Sequence, residues 1–374
     1  MLYKNAYIYT KDRRFVHGSF RVENGIFTEV LDTVPEERGV ELGGACVIPG
    51  LVDIHTHGNS GADFSDGELE GLKKMAAYSA KNGVTSFAPT SMTLPYDVIA
   101  RAFGTAVRYR ADRPETGARV MGVHMEGPYF SEKKKGAQNA DYLKLPDYEG
   151  FRTLYDNCGG IVRIVDVAAE LDGAAEFAAQ ASRLCTVSIA HTDAAYEDAC
   201  RVLDAGATHL THLFNAMPPI HHRRPGVIGA GAERENVVAE LICDGLHVHP
   251  SIVRMAFRLF PGRVCIISDS LRCCGMPDGE YELGGQQVFL SGGVARLADG
   301  TLAGSATNLY TCMQNVVRFG IPAEDAVAAA TIIPAREIGC ADTVGSIEPG
   351  KLADFVVCGG ELERRAVYIG GVRV

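Results

Sequence analysis

Apolar runs rich in β-branched residues alternate with alanine-rich segments of helical period through the middle of the chain. Eight of these runs have the length of a strand: CVIPGLVDIHTH, VTSFAPT, RVMGVHMEGPY, IVRIVDVAAE, CTVSIAHT, HLTHLFNAM, VAELICDGLH and RVCIISDS. Segments such as GELEGLKKMAAYSAKNG and HPSIVRMAFRLFP lie between them and show the spacing of helices. Nearly continuous apolar strands are typical of parallel sheets that are covered on both faces. The pattern therefore predicts an α/β fold, a (β/α)8 barrel of the TIM type.

The two ends of the chain have a different pattern, with short strand candidates separated by turns. LYKNAYIYT and FVHGSFRVENGIFTEVLD open the sequence and include an Asn-Gly hairpin turn, while DFVVCGG and AVYIGGVRV close it. We predict a small β-sandwich domain built from residues 1–50 and 342–374, and a catalytic barrel domain of residues 51–341. Within the barrel domain, residues 281–300 are expected to form an inserted hairpin, and AEDAVAAATIIPAREIG is expected to form a final helix.

Composition and charge exclude several classes of protein. The chain has 374 residues, 47% of them hydrophobic, with 36 basic and 46 acidic side chains and a formal net charge of −10. These values are those of a globular protein, and the acidic balance argues against a nucleic-acid-binding protein. No run approaches the ~18 apolar residues of a membrane span. We therefore expect a small-molecule partner, with no nucleic acid and no membrane.

The cysteines and the first residues predict the compartment. The eleven cysteines are an odd number without a CxxC pair, and most lie in apolar runs, where a thiol behaves as a small hydrophobic group. The start, MLYKNAYIYTKDRR, has no apolar segment of the kind found in a secretory leader. We expect a reducing, cytoplasmic protein.

Side chains that bind metals stand at the ends of most predicted strands. They are His55, His57, Glu126, His191, His212, His247 and Asp269. The carboxyl ends of barrel strands converge at one mouth, where barrel enzymes place their chemistry. His55 and His57 alternate along a strand and so share a face, where two imidazoles can hold a divalent ion. Glu126, His191 and His212 together satisfy the three-ligand rule of a catalytic zinc-type site, although each histidine alone is equally consistent with a buried structural one.

Asp269 is the candidate acid and base, because a carboxylate beside a metal-activated water can accept its proton and return it to a leaving amine. The alternative role for Asp269 is a helix N-cap. We expect His124 and His209 to be structural. On the loops that follow strand ends, Arg223 or Arg224 is a candidate anion clamp, since a guanidinium binds phosphate through two bonds. A nucleotide cofactor and a serine nucleophile lack support, because neither GxGxxG after a strand nor GxSxG occurs.

Several motifs occur in one order along nearly the whole chain: PGLVDIHTH, HMEGPYF, KKKGAQNA, AHT, THLFNAM, HHRRPG, DGLH, ISDS, TLAGSA and GSIEPGKLADFVV. With them the chain resembles the amidohydrolase superfamily, and within it the sugar-phosphate deacetylases. The resemblance implies a (β/α)8 barrel with a β-sandwich built from both termini, in a homodimer. It also implies hydrolysis of the acetamide of N-acetyl-D-glucosamine 6-phosphate to D-glucosamine 6-phosphate and acetate, an amide-bond cleavage in amino-sugar metabolism.

The resemblance also assigns roles to residues. Glu126, His191 and His212 match the main metal positions, His55 and His57 match a second position that only some members retain, and Asp269 matches the catalytic residue. Zinc is the expected metal, with iron, manganese and cobalt as alternatives and one or two ions per subunit. The positions that match substrate contacts are Ala137, Gln138, Asn215, Ala216, Arg223, His247, Leu302, Ala303 and Gly304. Gln138 departs from the family, because many members have a histidine there. Arg223 matches a phosphate contact that reaches across the dimer interface.

Other readings stay open from the sequence. Because Gln138 replaces the family's histidine, the same reaction on N-acetylgalactosamine 6-phosphate is the nearest alternative. Another amidohydrolase, such as an aminoacylase, a cyclic-amide hydrolase or a deaminase, would share the metal ligands. A remote alternative is an amidohydrolase-like assembly protein without catalysis, although such a protein would be expected to have lost metal ligands.

Overall fold

A computed structural model describes all 374 residues, Met1–Val374, as 21 strands and ten α-helices. The strands are β1 (Leu2–Tyr9), β2 (Phe15–Glu23), β3 (Ile26–Leu31), β4 (Val40–Pro49), β5 (Leu51–Thr56), β6 (Gly58–Asn59), β7 (Ala62–Asp63), β8 (Val84–Ser91), β9 (Arg119–Val120), β10 (Val123–Met125), β11 (Val162–Val167), β12 (Thr186–Ile189), β13 (His209–Leu210), β14 (Val238–Ile242), β15 (Val264–Ile267), β16 (Gly279–Leu283), β17 (Gln286–Ser291), β18 (Val294–Leu297), β19 (Phe355–Cys358), β20 (Arg364–Ile369) and β21 (Val372–Arg373). The helices are α1 (Leu69–Lys81), α2 (Tyr96–Ala111), α3 (Tyr148–Asn157), α4 (Ala174–Ala181), α5 (Tyr196–Asp204), α6 (Gly226–Ala232), α7 (Pro250–Leu259), α8 (Leu309–Arg318), α9 (Ala323–Ala330) and α10 (Ile332–Glu337).

Eight parallel strands form the barrel, in the spatial order β5, β8, β10, β11, β12, β13, β14 and β15. Most successive pairs are separated by a helix, which is the connection that parallel neighbours require. Every residue of β5, β8 and β15 is buried, because the interior covers one face of each strand and helices cover the other. The α/β barrel predicted from the alternating pattern is therefore confirmed.

The first and last strands approach each other and nearly close the barrel. The Asp269 backbone N–H donates to the His55 carbonyl at 2.9 Å, and the Thr56 and Ser270 hydroxyls lie 2.8 Å apart. These bonds follow the ends of β15 and β5, so they lie at the carboxyl ends of the strands. The closure thus brings the segment that carries Asp269 next to the segment that carries His55 and His57.

The two ends of the chain form a second sheet of seven strands, in the order β21, β20, β19, β4, β1, β2 and β3. The sheet is curled, since the Tyr3 hydroxyl of β1 donates to the Gly371 carbonyl beside β21, and the Ala353 N–H, just before β19, donates to the Gly25 carbonyl beside β3. It encloses a separate cluster of 12 buried residues, whereas a cluster of 84 fills the barrel and its helices. A third cluster of 9 buried residues lies under the inserted segment. The two larger clusters indicate two structural units, and the division at residues 50 and 342 stays a prediction.

Two local predictions need correction. The inserted segment is a three-stranded meander of β16, β17 and β18, not a single hairpin. The predicted final helix is two helices, α9 and α10, with a break at Thr331, whose backbone dihedrals (φ −133°, ψ −85°) are not helical. Pro334 explains the break, because it has no N–H and its ring disfavours a continuous helix four residues back. None of the ten helices combines the length and the apolar character that a transmembrane span requires.

Phe355 allows a test of how much the small core contributes to stability. Its ring is fully buried and packs against the rings of Tyr3, Phe20, Phe27 and Tyr368. We expect Phe355→Ala to lower the free energy of unfolding by about 3–5 kcal/mol, because it removes buried area and leaves a cavity. The measurement is denaturant unfolding of the purified variant.

The matched control is Phe289→Ala, since the Phe289 ring on β17 is 37% exposed and should cost far less. Equal losses in the two variants would show that Phe355 does not anchor a core.

Candidate active site

Glu126 lies at the centre of the barrel mouth, directly after β10. Its position depends on Gly127, which has φ 88° and approaches Thr93 so closely that a Cβ atom there would lie 2.2 Å from the Thr93 hydroxyl. Burial alone would raise the pKa of Glu126, but His55 and other neighbouring imidazoles lower it well below its usual value. The carboxylate is therefore ionised and only 2% exposed. A buried charge of this kind needs a cation or several donors.

His191 and His212 converge on one oxygen of this carboxylate. Each Nε2 lies 3.2 Å from Glu126 Oε1, and the two Nε2 atoms lie 3.1 Å apart. The Nδ1 atoms face backbone carbonyls, that of Lys134 at 2.8 Å and that of Asn215 at 3.2 Å. Because a carbonyl only accepts, each Nδ1 donates to its carbonyl, and each Nε2 faces Glu126 and the other ring. A divalent cation would satisfy both Nε2 atoms and the carboxylate oxygen, and two imidazoles with a carboxylate match the ligands of zinc.

His55 and His57 form a second cluster on the other side of Glu126. The Nε2 atom of His57 lies 3.3 Å from Glu126 Oε2 and 3.3 Å from Asp269 Oδ1. The Nε2 atom of His55 is buried without a hydrogen-bond partner, 3.5 Å from Glu126 Oε1 and 3.7 Å from Asp269 Oδ1. An orphaned buried nitrogen between two carboxylates fits a metal ligand. Both predicted ligand sets, Glu126 with His191 and His212 and Glu126 with His55 and His57, thus have the proximity that metal binding requires.

Three residues of the site, His191, His212 and Asp269, have backbone conformations that residues other than glycine rarely adopt. The φ angles are 43° at His191, 31° at His212 and 47° at Asp269. Such conformations cost free energy and persist where the surrounding structure imposes them, often at functional sites. Each of the three residues stands two positions after its barrel strand. The backbone is therefore strained at the places where the chain turns these side chains toward Glu126.

Asp269 faces the cluster from the end of β15. Burial alone would raise its pKa, but the bond with His57 and the nearby His55 lower it, so the carboxylate is ionised and able to accept a proton. Gly304 is needed beside it, because a Cβ atom at that position would lie 2.6 Å from the Asp269 carbonyl oxygen. The N-cap role that Asp269 could have had from its sequence position is not observed, since the next helix is α8, capped by Asn308.

A cavity of about 260 Å³ opens above Glu126. Every predicted site residue lines it except His55, which is buried beneath, and Arg223. The predicted residues that line it are His57, Glu126, Ala137, Gln138, His191, His212, Asn215, Ala216, His247, Asp269, Leu302, Ala303 and Gly304. Apolar walls that the sequence analysis did not find come from Met92, Ile242, Leu271 and Leu283. The floor is thus polar and the sides are largely apolar.

His247 stands in the wall of this cavity as a donor. Its Nδ1 lies 2.7 Å from Asp244 Oδ2 and its Nε2 lies 3.1 Å from the Ala303 carbonyl. Burial alone would lower the pKa of His247, but the bond with Asp244 raises it. Two acceptors on the two ring nitrogens favour the protonated imidazole. His247 therefore brings positive charge close to Asp269 and the cavity.

Arg223 is exposed and lines a different depression of the surface, beside Asp193 and Tyr196. No lysine or arginine lines the cavity above Glu126. Of the nearby basic run, Lys133 and Lys134 lie within 4 Å of Asp193. A single chain therefore does not place the predicted phosphate-binding arginine at the candidate active site.

Glu240 is a functional candidate that sequence reasoning missed. It is fully buried in β14, and its Oε2 lies 2.9 Å from His55 Nδ1. That bond keeps a proton on Nδ1 and leaves Nε2 free for a metal, as carboxylates commonly do for histidine ligands. A lone glutamate inside the apolar run VAELICD was the available indication, since a charged residue in a buried strand needs a partner.

Neither His209 nor His124 lines the cavity, and the structural role expected of both stays a prediction. His209 lies between two carboxylates, with Nε2 3.1 Å from Glu240 and Nδ1 2.7 Å from Glu337. His124 lies 2.9 Å from Asp166. The barrel interior beneath the candidate active site thus contains buried contacts between histidines and carboxyl groups.

Comparison with known proteins places this geometry among related enzymes. A profile described as the amidohydrolase family matches residues 46–374. An N-acetylglucosamine-6-phosphate deacetylase of Bacillus subtilis is 35% identical over 373 residues, covering 97% of this chain and 94% of the relative. An N-acetylgalactosamine-6-phosphate deacetylase of Escherichia coli O157:H7 is 33% identical, covering 94% and 93%. A mutant N-acetyl-D-glucosamine-6-phosphate deacetylase from Mycobacterium smegmatis, solved in complex with N-acetyl-D-glucosamine-6-phosphate, superposes with a TM-score of 0.94 at 31% identity, covering 100% and 98%.

His209 gives a pH-dependent test of the buried charges. Burial alone would lower its pKa, but Glu240 and Glu337 raise it to about 10, above the ordinary 6.5. Its stabilising effect is therefore complete below pH 6.5 and disappears as the pH rises through about 10. We expect His209→Gln to lower the free energy of unfolding by about 3–5 kcal/mol near pH 6, because it leaves buried carboxylates without their cation.

Denaturant unfolding of wild type and variant across this pH range measures the difference, which should shrink toward pH 10. His17→Gln, at an exposed histidine, is the control and should show no such trend. A difference that is constant with pH would contradict an ionised His209.

Proposed function

The chain belongs to the amidohydrolase family, and we propose that it hydrolyses the acetamide of N-acetyl-D-glucosamine 6-phosphate to D-glucosamine 6-phosphate and acetate. One observation carries the proposal. Glu126, His191 and His212 converge at a single point in a cavity that also contains Asp269, in a chain that is 35% identical over nearly its whole length to a deacetylase of this substrate. The protein is thus a hydrolase of amino-sugar metabolism.

The residues at the centre of the site support a divalent metal as cofactor. Glu126, His191 and His212 would hold one ion, and His55 and His57 with Glu126 would hold a second. When bound, the ion polarises the acetyl carbonyl and makes a water ligand more acidic. We propose zinc, and the same nitrogen and oxygen ligands also suit iron, manganese or cobalt.

Asp269 would carry the proton in this reaction. Its carboxylate is ionised and faces the centre of the site, so it can accept a proton as the water oxygen bonds to the acetyl carbon. Asp269 then gives that proton to the nitrogen as the carbon–nitrogen bond breaks. Acetate and the free amine leave. His247, protonated between Asp244 and the Ala303 carbonyl, would bring positive charge close to the developing oxyanion.

The apolar walls and the loop after β13 would orient the sugar. Among the residues that line the cavity are Asn215 and Ala216 of that loop, together with Ala137, Leu302 and Ala303. Binding energy from atoms remote from the reacting bond positions the acetamide over the metal. The phosphate needs a cation, and we propose that Arg223 of a second subunit supplies it in a homodimer. Exposed Arg223, and a cavity without lysine or arginine, support this arrangement.

We also propose that the protein works in the cytoplasm, which is supported by eleven cysteines that are all free thiols.

N-acetylgalactosamine 6-phosphate is the second candidate substrate. It is favoured by the relative of that activity at 33% identity and by Gln138, which stands where many family members have a histidine. The two substrates differ in the configuration of one hydroxyl. Acetate release from each at equal concentration measures the preference, and a higher kcat/KM for the galactosamine compound would replace the first proposal.

Asp269→Asn tests the assignment of the proton carrier. We expect kcat to fall by about 10²- to 10⁴-fold, because the amide can neither accept nor return a proton. Metal content and thermal unfolding should stay close to wild type, and acetate release under saturating substrate is the measurement. Asp12→Asn, at an exposed aspartate remote from the site, is the control. Near-normal kcat in Asp269→Asn would remove Asp269 from this role.

Mixing two impaired variants, Arg223→Ala and Asp269→Asn, tests whether Arg223 acts on the neighbouring subunit. Arg223→Ala alone should raise KM for the phosphorylated sugar much more than for unphosphorylated N-acetylglucosamine. In a hybrid dimer with Asp269→Asn, the Arg223→Ala subunit keeps its own Asp269 and receives Arg223 from its partner. Random exchange of subunits makes half of the dimers hybrids, each with one complete site, so about a quarter of wild-type activity should return. The assay uses the phosphorylated sugar at a concentration at which Arg223→Ala alone has little activity. Absence of recovery, with exchange shown by mass spectrometry, would contradict the arrangement.

A further inference from the structure

The amide of Gln138 is fixed in one orientation. Its Oε1 accepts a hydrogen bond from the Thr93 backbone N–H at 2.8 Å. Because that N–H can only donate, the atom facing it is the oxygen, and the NH₂ group faces the other way. There it donates to Glu126 Oε2 at 2.6 Å. With only 3% of the residue exposed, Gln138 is oriented toward the carboxylate more than toward the open cavity.

The loop that carries Gln138 also supports a second ligand. The Lys134 carbonyl accepts from His191 Nδ1 at 2.8 Å, and the Gln138 N–H donates to the Lys135 carbonyl at 2.9 Å. From the inserted meander, Gln286 donates to the Ala137 carbonyl. Residues 134–138 therefore form a tied loop that sets the ring of His191 at one end and the carboxylate of Glu126 at the other.

We propose that Gln138 is a positioning residue for the metal ligand Glu126, in addition to lining the substrate cavity. Its amide holds Oε2, so the carboxylate cannot rotate and Oε1 stays between His191 and His212. An amide carries no charge, so it donates at every pH without adding positive charge next to a bound cation, which a protonated imidazole at this position would do. This inference rests on the metal site of the proposed function.

The experiment compares metal affinity in Gln138→Leu and in the wild type. Metal is removed with a chelator, zinc is returned, and affinity is measured by competition with a chelating indicator. Gln138→Leu has nearly the same size but no donor, so we expect zinc affinity to fall by about 10- to 100-fold, as for other groups that orient metal ligands. At saturating zinc, the amount of zinc bound per subunit should return close to the wild-type value. The control is Gln287→Leu, because Gln287 is exposed and bonds only to Glu280.

A substrate contact alone predicts the opposite result. Zinc affinity would then be unchanged in Gln138→Leu while KM for the phosphorylated sugar rises, and that unchanged affinity would overturn the proposal. If Gln138→Leu does not fold, Gln138→His decides when measured at about pH 8 or above, where the imidazole is neutral and its ring N–H can still donate to Glu126. Affinity close to wild type in Gln138→His supports the positioning role, and a loss of about tenfold or more contradicts it. A wild-type protein that binds no divalent metal would instead contradict the proposed function.

Discussion

One buried carboxylate shared by four imidazoles is the interaction on which the site depends. The Nε2 atoms around Glu126 lie 3.2–3.5 Å from its oxygens and belong to His55, His57, His191 and His212. Backbone carbonyls accept from the Nδ1 atoms of His191 and His212, so both Nε2 atoms face the carboxylate at the floor of the cavity. Such an arrangement is unfavourable unless positive charge lies at its centre. The residues around Glu126 therefore suit a cation. A cation bound there would supply the activation of water that the proposed amide hydrolysis needs.

Below the site, buried carboxylates and histidines contact one another in the barrel interior and support this arrangement. Glu240 lies below His55, His209 lies between Glu240 and Glu337, and each contact between them is 2.7–3.1 Å. Removing one member of such a series leaves an uncompensated charge in a medium of low dielectric constant. The strained backbone at His191, His212 and Asp269 is held by the same closely packed surroundings. Stability and function thus depend on shared residues at the mouth of the barrel.

Most of the fold was predictable because hydrophobic period distinguishes helices from buried strands. The ligands were predictable because parallel strands end at one edge of the sheet. Polar residues that follow the apolar runs therefore lie close together. The partners that orient those ligands were not predictable. Glu240 stands in an apolar run that is typical of an ordinary strand. The Lys134 carbonyl is a backbone group that any residue type would provide, so the sequence does not indicate it.

The remaining differences arise from local geometry that the sequence pattern does not carry. Gln138 resembled a substrate contact by position, but its bonds to Thr93 and Glu126 exist only once two loops are packed together. The break between α9 and α10 depends on Pro334, within a segment whose alanine content favours one helix. Arg223 lines no part of the cavity in a single chain, and its role across a dimer interface stays a proposal.

Anomalous diffraction from crystals grown with zinc, recorded on both sides of the zinc absorption edge, tests the central claim most directly. The account predicts an anomalous peak about 2.0–2.2 Å from Glu126 Oε1, His191 Nε2 and His212 Nε2 in every chain. A structure of catalytically active protein with no such peak, in which these three side chains are bonded only to one another or to water, would contradict it.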